Sequence, residues 1–108
     1  EGARVIVNDI NTDLAEQTLA LIIKQGGQGE VMVADVTDQQ AVEQMVQHSH
    51  QVFGHLDIVF CNAGGSLPAA YAEVSDDGFE TIYALNLKLW GRFFRPAVDN
   101  DYHLLSKY

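Results

Sequence analysis

The sequence has 108 residues, 47% of them hydrophobic, with 15 acids against 6 bases and a net charge of −9. That length allows one domain at most, and the composition is that of a folded chain. The acidic balance repels phosphate backbones and anionic lipid, which argues against nucleic acid and membrane surfaces as partners. A single cysteine, Cys61, permits no intrachain disulfide and suits a reducing compartment, so a cytoplasmic location is expected. No apolar run reaches transmembrane length. The sequence starts without Met or a signal-peptide pattern and opens almost directly on a strand, so a piece of a larger domain is expected.

In chain order, Arg4-Val5-Ile6-Val7-Asn8 is a β-branched run with Asp9 at its carboxyl end, and it reads as a buried strand. Asn11 or Thr12 can cap the helix that follows. Its apolar face is Ala15, Leu19, Ile22 and Ile23, and Gly26-Gly27 stops it. Glu30 to Ala34 is a second strand ending at Asp35. Thr37 can cap a second helix, whose stripe is Val42, Met45, Val46, Val52 and Phe53 and whose end is Gly54.

Ile58-Val59-Phe60-Cys61 is a third strand, apolar throughout, as when helices cover both faces of a sheet. It stops at Asn62-Ala63-Gly64-Gly65. After a loop through Pro68, Ser75 caps a long helix with the stripe Phe79, Ile82, Tyr83, Asn86, Leu89, Trp90 and Phe93, and Pro96 lies near its end. The pattern is an α/β chain, part of a Rossmann-type doubly wound parallel sheet with three strands alternating with three helices. Residues 99–108 read as an irregular or helical tail.

Ligands of such sheets sit at the carboxyl ends of the strands. Here those ends are Asp9, Asp35 and Asn62-Ala63-Gly64, so one rim is expected to hold all three, with room for an adenosine across them. Asp9 could accept from ribose hydroxyls and repel a 2′-phosphate, favouring NAD over NADP; it could equally cap the helix beside it. Asp35, two residues before Thr37, could accept from an adenine amino group or serve as a helix cap. Asn62-Ala63-Gly64 could let backbone approach a ligand or form a simple turn. Asn86 interrupts an apolar stripe. A buried amide there needs a partner, since an unmet one costs about 1–3 kcal/mol. A backbone carbonyl, a bulge in its own helix, a water or a ligand would serve.

His48 and His50 point to different faces of one helix, and His55 and His103 stand apart, so no metal set is expected. Cys61 reads as inert core.

Five segments in register carry a resemblance. Gly2-Ala3-Arg4-Val5-Ile6-Val7-Asn8-Asp9, Ala34-Asp35-Val36-Thr37, Phe53-Gly54-His55-Leu56-Asp57, Asn62-Ala63-Gly64-Gly65 and Asn86-Leu87 resemble the short-chain dehydrogenase/reductase family, over roughly residues 2 to 95. The resemblance implies an NAD(P)-dependent oxidoreductase acting on a small alcohol or carbonyl. Residues 1–98 would be a partial NAD(P)-binding Rossmann domain. It assigns Asp9, with Ile10 beside it, to the adenosine ribose and Asp35-Val36 to the adenine. Asn62, Ala63 and Gly64 would line the cofactor side of the sheet, and Asn86 would be catalytic, holding a water in a proton relay. The helix around Leu85, Leu89 and Phe93 implies a homo-oligomeric parent.

The sequence departs from the family pattern in three places. The glycine-rich phosphate loop and first strand would lie upstream of Glu1. The catalytic serine, carried on a strand after the long helix, has no evident counterpart. The family's Tyr and Lys are four apart, whereas Tyr102 and Lys107 are five apart, about 140° off one helical face. Weak or no dinucleotide binding, and no activity, are therefore expected of this chain alone. A non-catalytic nucleotide-binding relic or partner-dependent interaction module is the alternative. A phospho-acceptor domain ranks last, because no acidic pair follows the first strand. In the order 3-2-1-4 the strands here would be the second, third and fourth. The two that flank the first must pair directly, splay apart or borrow a strand, with reduced stability and exposed edges.

Overall fold

The structure, a computed structural model, describes residues 2–65, 73–88, 91–92 and 103–106. The chain divides into two compact units, residues 1–56 and 57–108.

The first unit runs β1 (Arg4–Asp9), α1 (Thr12–Lys24), β2 (Gln28–Val33) and α2 (Gln39–Phe53). β1 and β2 pair in parallel, from Arg4 opposite Gln28 to Asp9 opposite Val33. β2 starts two residues earlier than its β-branched run suggests. Pairing carries Gln28 and Gly29 into the strand despite their poor intrinsic preference. Gly29 suits that position: a Cβ there would lie 2.5 Å from the Val5 carbonyl oxygen.

The core of this unit is Ala15, Val36, Val42, Met45 and Val46. On α1, Leu19 and Ile22 join Ala15 as half-buried neighbours, but Ile23 is exposed. Helical geometry explains the correction. Leu19 and Ile22 fall within about 40° of Ala15 around the axis, while Ile23 is rotated about 80° away. On α2, Val52 and Phe53 are half-buried, and Ser49 joins the stripe fully buried. Its hydroxyl donates to the Val46 carbonyl at 2.6 Å, so the polar group is satisfied within its own helix.

Asn11 caps α1, its side chain accepting from the Leu14 amide. The cap of α2 is Asp38, which accepts from the Gln40 amide, and not Thr37. Gly54 closes α2, its amide donating to the His50 carbonyl. Arg4 ties the start of β1 to the end of α2. Its guanidinium donates to the Phe53 carbonyl at 2.9 Å and lies 4.9 Å from that residue's ring centroid, a cation–π distance.

The second unit contains β3 (Ile58–Cys61), α3 (Asp76–Tyr83) running into a π-helical turn at Ala84–Lys88, and β4 (His103–Ser106). β3 and β4 pair in parallel, Ile58 opposite His103 and Cys61 opposite Ser106. The α/β class and parallel pairing stand, but the described residues include a fourth strand. The part of the tail at His103–Ser106 is a strand, where an irregular or helical segment was expected. Among the described residues each unit holds one two-stranded sheet, β1 with β2 and β3 with β4. Val59 and Cys61 are buried, while Ile58 is 55% and Phe60 62% exposed.

Ser75 caps α3 as expected, its hydroxyl accepting from the Gly78 amide at 3.1 Å. The loop at Pro68, the later helical stripe at Leu89, Trp90 and Phe93, Pro96, and the pair Tyr102 and Lys107 lie outside the described residues. Among the described residues no helix is long and apolar enough to cross a membrane.

Candidate functional site

In the first unit the parallel register sets Asp9 and Asp35 on one rim. Asp9 is the last residue of β1 and stands opposite Val33, the last of β2. The chain then continues through Ala34 to Asp35, and the Ala34 amide still donates to the Asp9 carbonyl at 3.3 Å. The Asn8 side chain adds two more ties, from Nδ2 to the carbonyls of Met32 at 2.9 Å and Ala34 at 3.1 Å.

Each carboxylate folds back on its own loop. Asp9 Oδ1 accepts from the Asn11 amide at 2.8 Å. Asp35 Oδ1 accepts from the Thr37 amide at 2.8 Å and from the Thr37 hydroxyl at 2.7 Å. These are local turns and not helix caps, which Asn11 and Asp38 provide, and they orient both acids at the strand ends. Val36 is buried beside Asp35, whereas Ile10, next to Asp9, is 69% exposed. The rim therefore presents hydrogen-bond acceptors next to an accessible apolar side chain.

In the second unit the chain turns immediately after β3, where the Asn62 amide donates to the Phe60 carbonyl at 3.0 Å. Asn62, Ala63, Gly64 and Gly65 are all exposed. Asn86 reaches this loop from the π turn. Its Nδ2 donates to the Gly65 carbonyl at 2.8 Å and to the Ile82 carbonyl at 2.9 Å, and its Oδ1 accepts from the Gly65 amide at 3.3 Å. Asn86 is exposed, not buried, which corrects the reading of its stripe. Its amide is nevertheless engaged by backbone on both its nitrogen and its oxygen. Gly64 fits closely beneath it: a Cβ there would lie 2.9 Å from Asn86 Oδ1.

Three features escaped the sequence reading. Asn8 reads in the sequence only as a strand residue, although an amide one residue before a strand's end is a usable signal. β4 supplies a strand after the long helix and sets the backbone of Ser106 opposite Cys61, where no such strand had been recognised. His48 lies 3.0 Å from Glu30 Oε2 and links α2 to β2 at the surface. The Cys61 thiol is buried, and that burial pushes its pKa above the ordinary thiol value. Among the described residues no group of three or more His, Cys, Asp or Glu side chains could hold a metal ion.

Residues 1–98 match the family described as Enoyl-(Acyl carrier protein) reductase. The chain is 39% identical over 89 residues to the uncharacterized oxidoreductase YxbG of Bacillus subtilis, covering 82% of this chain and 33% of that protein. The chain belongs to the short-chain dehydrogenase/reductase family. Within that family it is also similar to the trihydroxynaphthalene reductase of Colletotrichum orbiculare, 33% identical over 94 residues, 86% of this chain and 33% of the relative. Among solved structures, a short chain dehydrogenase from Mycobacterium avium superposes with a TM-score of 0.82 at 25% identity, over 98% of this chain and 45% of that one. A dehydrogenase/reductase from Sinorhizobium meliloti 1021 gives 0.83 at 28% identity, over 93% and 40%. The chain spans about a third of the length of the curated short-chain relatives it matches.

Proposed function

We propose that the protein is an NAD(P)-dependent oxidoreductase of the short-chain type that interconverts a small alcohol and its carbonyl, and that residues 1–98 form part of its NAD(P)-binding domain. The observation that carries the proposal is the pair Asp9 and Asp35 on one rim of two parallel strands. Strand ends of this kind are where dinucleotides bind in α/β sheets.

The residues fit an adenosine. Asp9 is half-buried, and among the described residues only its Oδ1 takes a hydrogen bond, leaving Oδ2 for ribose hydroxyls. Exposed Ile10 offers an apolar surface for the base. Asp35 and Val36 stand at the adenine edge in this reading. Asn62, Ala63 and Gly64 lie at the carboxyl end of β3 with accessible backbone that a cofactor could approach. The bound nicotinamide would accept the hydride in alcohol oxidation and supply it in carbonyl reduction. Asn86 would hold a water in the proton relay while its side chain fixes the loop at Gly65.

A carboxylate at Asp9 repels a 2′-phosphate, so NAD is the proposed form. A cytoplasmic setting agrees with the single reduced thiol of Cys61. A homo-oligomeric parent agrees with the exposed apolar residues Phe79, Tyr83 and Leu87, four apart along α3 and its π turn.

Cofactor choice tests the proposal. In the whole protein, Asp9→Asn should improve NADPH affinity relative to NADH by about tenfold, the equivalent of about 1.4 kcal/mol. Unchanged selectivity would remove Asp9 from the ribose site.

A further inference from the structure

Asn8 lies one residue before Asp9, and its side chain crosses to the neighbouring strand. A parallel ladder explains why it is needed there. In such a ladder a residue donates its N–H to one partner and receives a bond at its C=O from the residue two further along that partner strand. Ala34 follows the rule for its first bond, donating to the Asp9 carbonyl. Continued regularly, its carbonyl would accept from the Asn11 amide. That amide is diverted to Asp9 Oδ1, because β1 has already turned toward α1. The Ala34 carbonyl therefore loses its ladder partner. Asn8 Nδ2 supplies the replacement at 3.1 Å, while also donating to the Met32 carbonyl at 2.9 Å.

The Ala34 carbonyl and the Asp35 N–H belong to one planar peptide unit. Fixing that carbonyl fixes the direction in which the chain leaves β2, and so where Asp35 and Val36 stand relative to Asp9. Among the common side chains of this size, only an amide does this. Leu fills the volume without a donor, and Asp presents a second acceptor to two carbonyls.

We propose that Asn8 is a positioning residue of the adenosine site, acting through Asp35 and Val36 on recognition of the adenine edge. The inference rests on the adenosine reading above. It separates two halves of one site: the ribose side depends on the Asp9 turn, and the adenine side depends on Asn8.

The test uses Asn8→Leu, with Asn8→Ser as a milder variant should the first fail to fold. Without nucleotide, amide exchange of Thr37, held by Asp35, should speed up tenfold or more, while the Asn11 amide, held by Asp9, stays within twofold. Unchanged Thr37 exchange, or equal acceleration at both amides, would overturn the proposal, the second outcome marking a purely structural role. With nucleotide, wild-type protein should bind NADH more tightly than its hypoxanthine analogue, which lacks the adenine amino group. In the variant that ratio should shrink threefold or more. Wild-type discrimination that persists unchanged in the variant overturns the role of Asn8 alone. Failure of the wild type to bind either nucleotide overturns the adenosine reading, and this inference with it.

Discussion

Asn86 and Gly65 are joined by a reciprocal pair of hydrogen bonds, Nδ2 to the Gly65 carbonyl at 2.8 Å and the Gly65 amide to Oδ1 at 3.3 Å. A side-chain amide has the donor and acceptor of a peptide group, so Asn86 meets the loop after β3 as a neighbouring strand would. The third bond, to the Ile82 carbonyl, anchors the same amide within a π-helical turn, where the regular i→i−4 ladder is interrupted.

Gly64→Ala should break this contact. The new Cβ would stand 2.9 Å from Oδ1, and the amide cannot move without losing its bonds to Gly65. Asn86→Leu removes the same bonds from the other side. Each variant should lose about 1–2 kcal/mol, at about 1 kcal/mol per net hydrogen bond. Urea unfolding reads the loss. The double variant should lose little more than either single one, because both act on one contact; full additivity would show that Gly64 and Asn86 are independent.

Two small-residue changes in the first unit should differ sharply. Gly29→Ala sets a methyl group 2.5 Å from the Val5 carbonyl and 3.1 Å from Leu19 Cδ1, and the nearer atom is sheet backbone that cannot rotate away. A loss of about 2–3 kcal/mol is expected, in the range of overpacking. Ser49→Ala deletes a buried hydroxyl whose partner is a carbonyl of its own helix, and should change stability by less than about 1 kcal/mol. Thermal unfolding of the two variants gives the order directly, and a reversed order would contradict the packing described here.

Cys61 should resist thiol reagents while the protein is folded. Burial raises its pKa, so little thiolate is present near neutral pH, and the thiolate is the reactive form. The same shift links stability to pH. The folded pKa lies above the unfolded one, so the contribution is fully present below about pH 8.5, the ordinary thiol value, and is lost as pH rises through the folded value. Comparing the pH dependence of unfolding in wild type and Cys61→Ala isolates this slope. A contribution that grows with pH above 8.5 would contradict it.

Much of the framework was legible before the structure. The β-branched run at Arg4–Asn8, the apolar run Ile58–Cys61 and the caps at Asn11 and Ser75 are local signals, and they appear where the residues indicate. Asp9 and Asp35 could be placed on a rim because strand ends follow from such signals and parallel pairing follows from alternation. The remainder depended on neighbours. Asn8 needs the register of β1 on β2 to find its two carbonyls. Thr37 and Asp38 are both good caps, and one residue of geometry decides between them. Asn86 sits in an apolar stripe, but a stripe gives direction around a helix and not what covers it. His103–Ser106 has no β-branched residue and only four positions, so its strand arises from pairing with β3, a contact more than forty residues away in sequence.

An adenosine lying across the carboxyl ends of β1 and β2 would be seen at individual amides of the first unit. Amide chemical shifts of isotopically labelled protein, followed as NADH is added to millimolar concentration, test it most directly. Movement is expected at Ile10, Asn11, Asp35, Val36 and Thr37, with Arg4 and Gln28 at the far end of the same strands unmoved. Movement confined to Arg4 and Gln28, or none at either end, would contradict it.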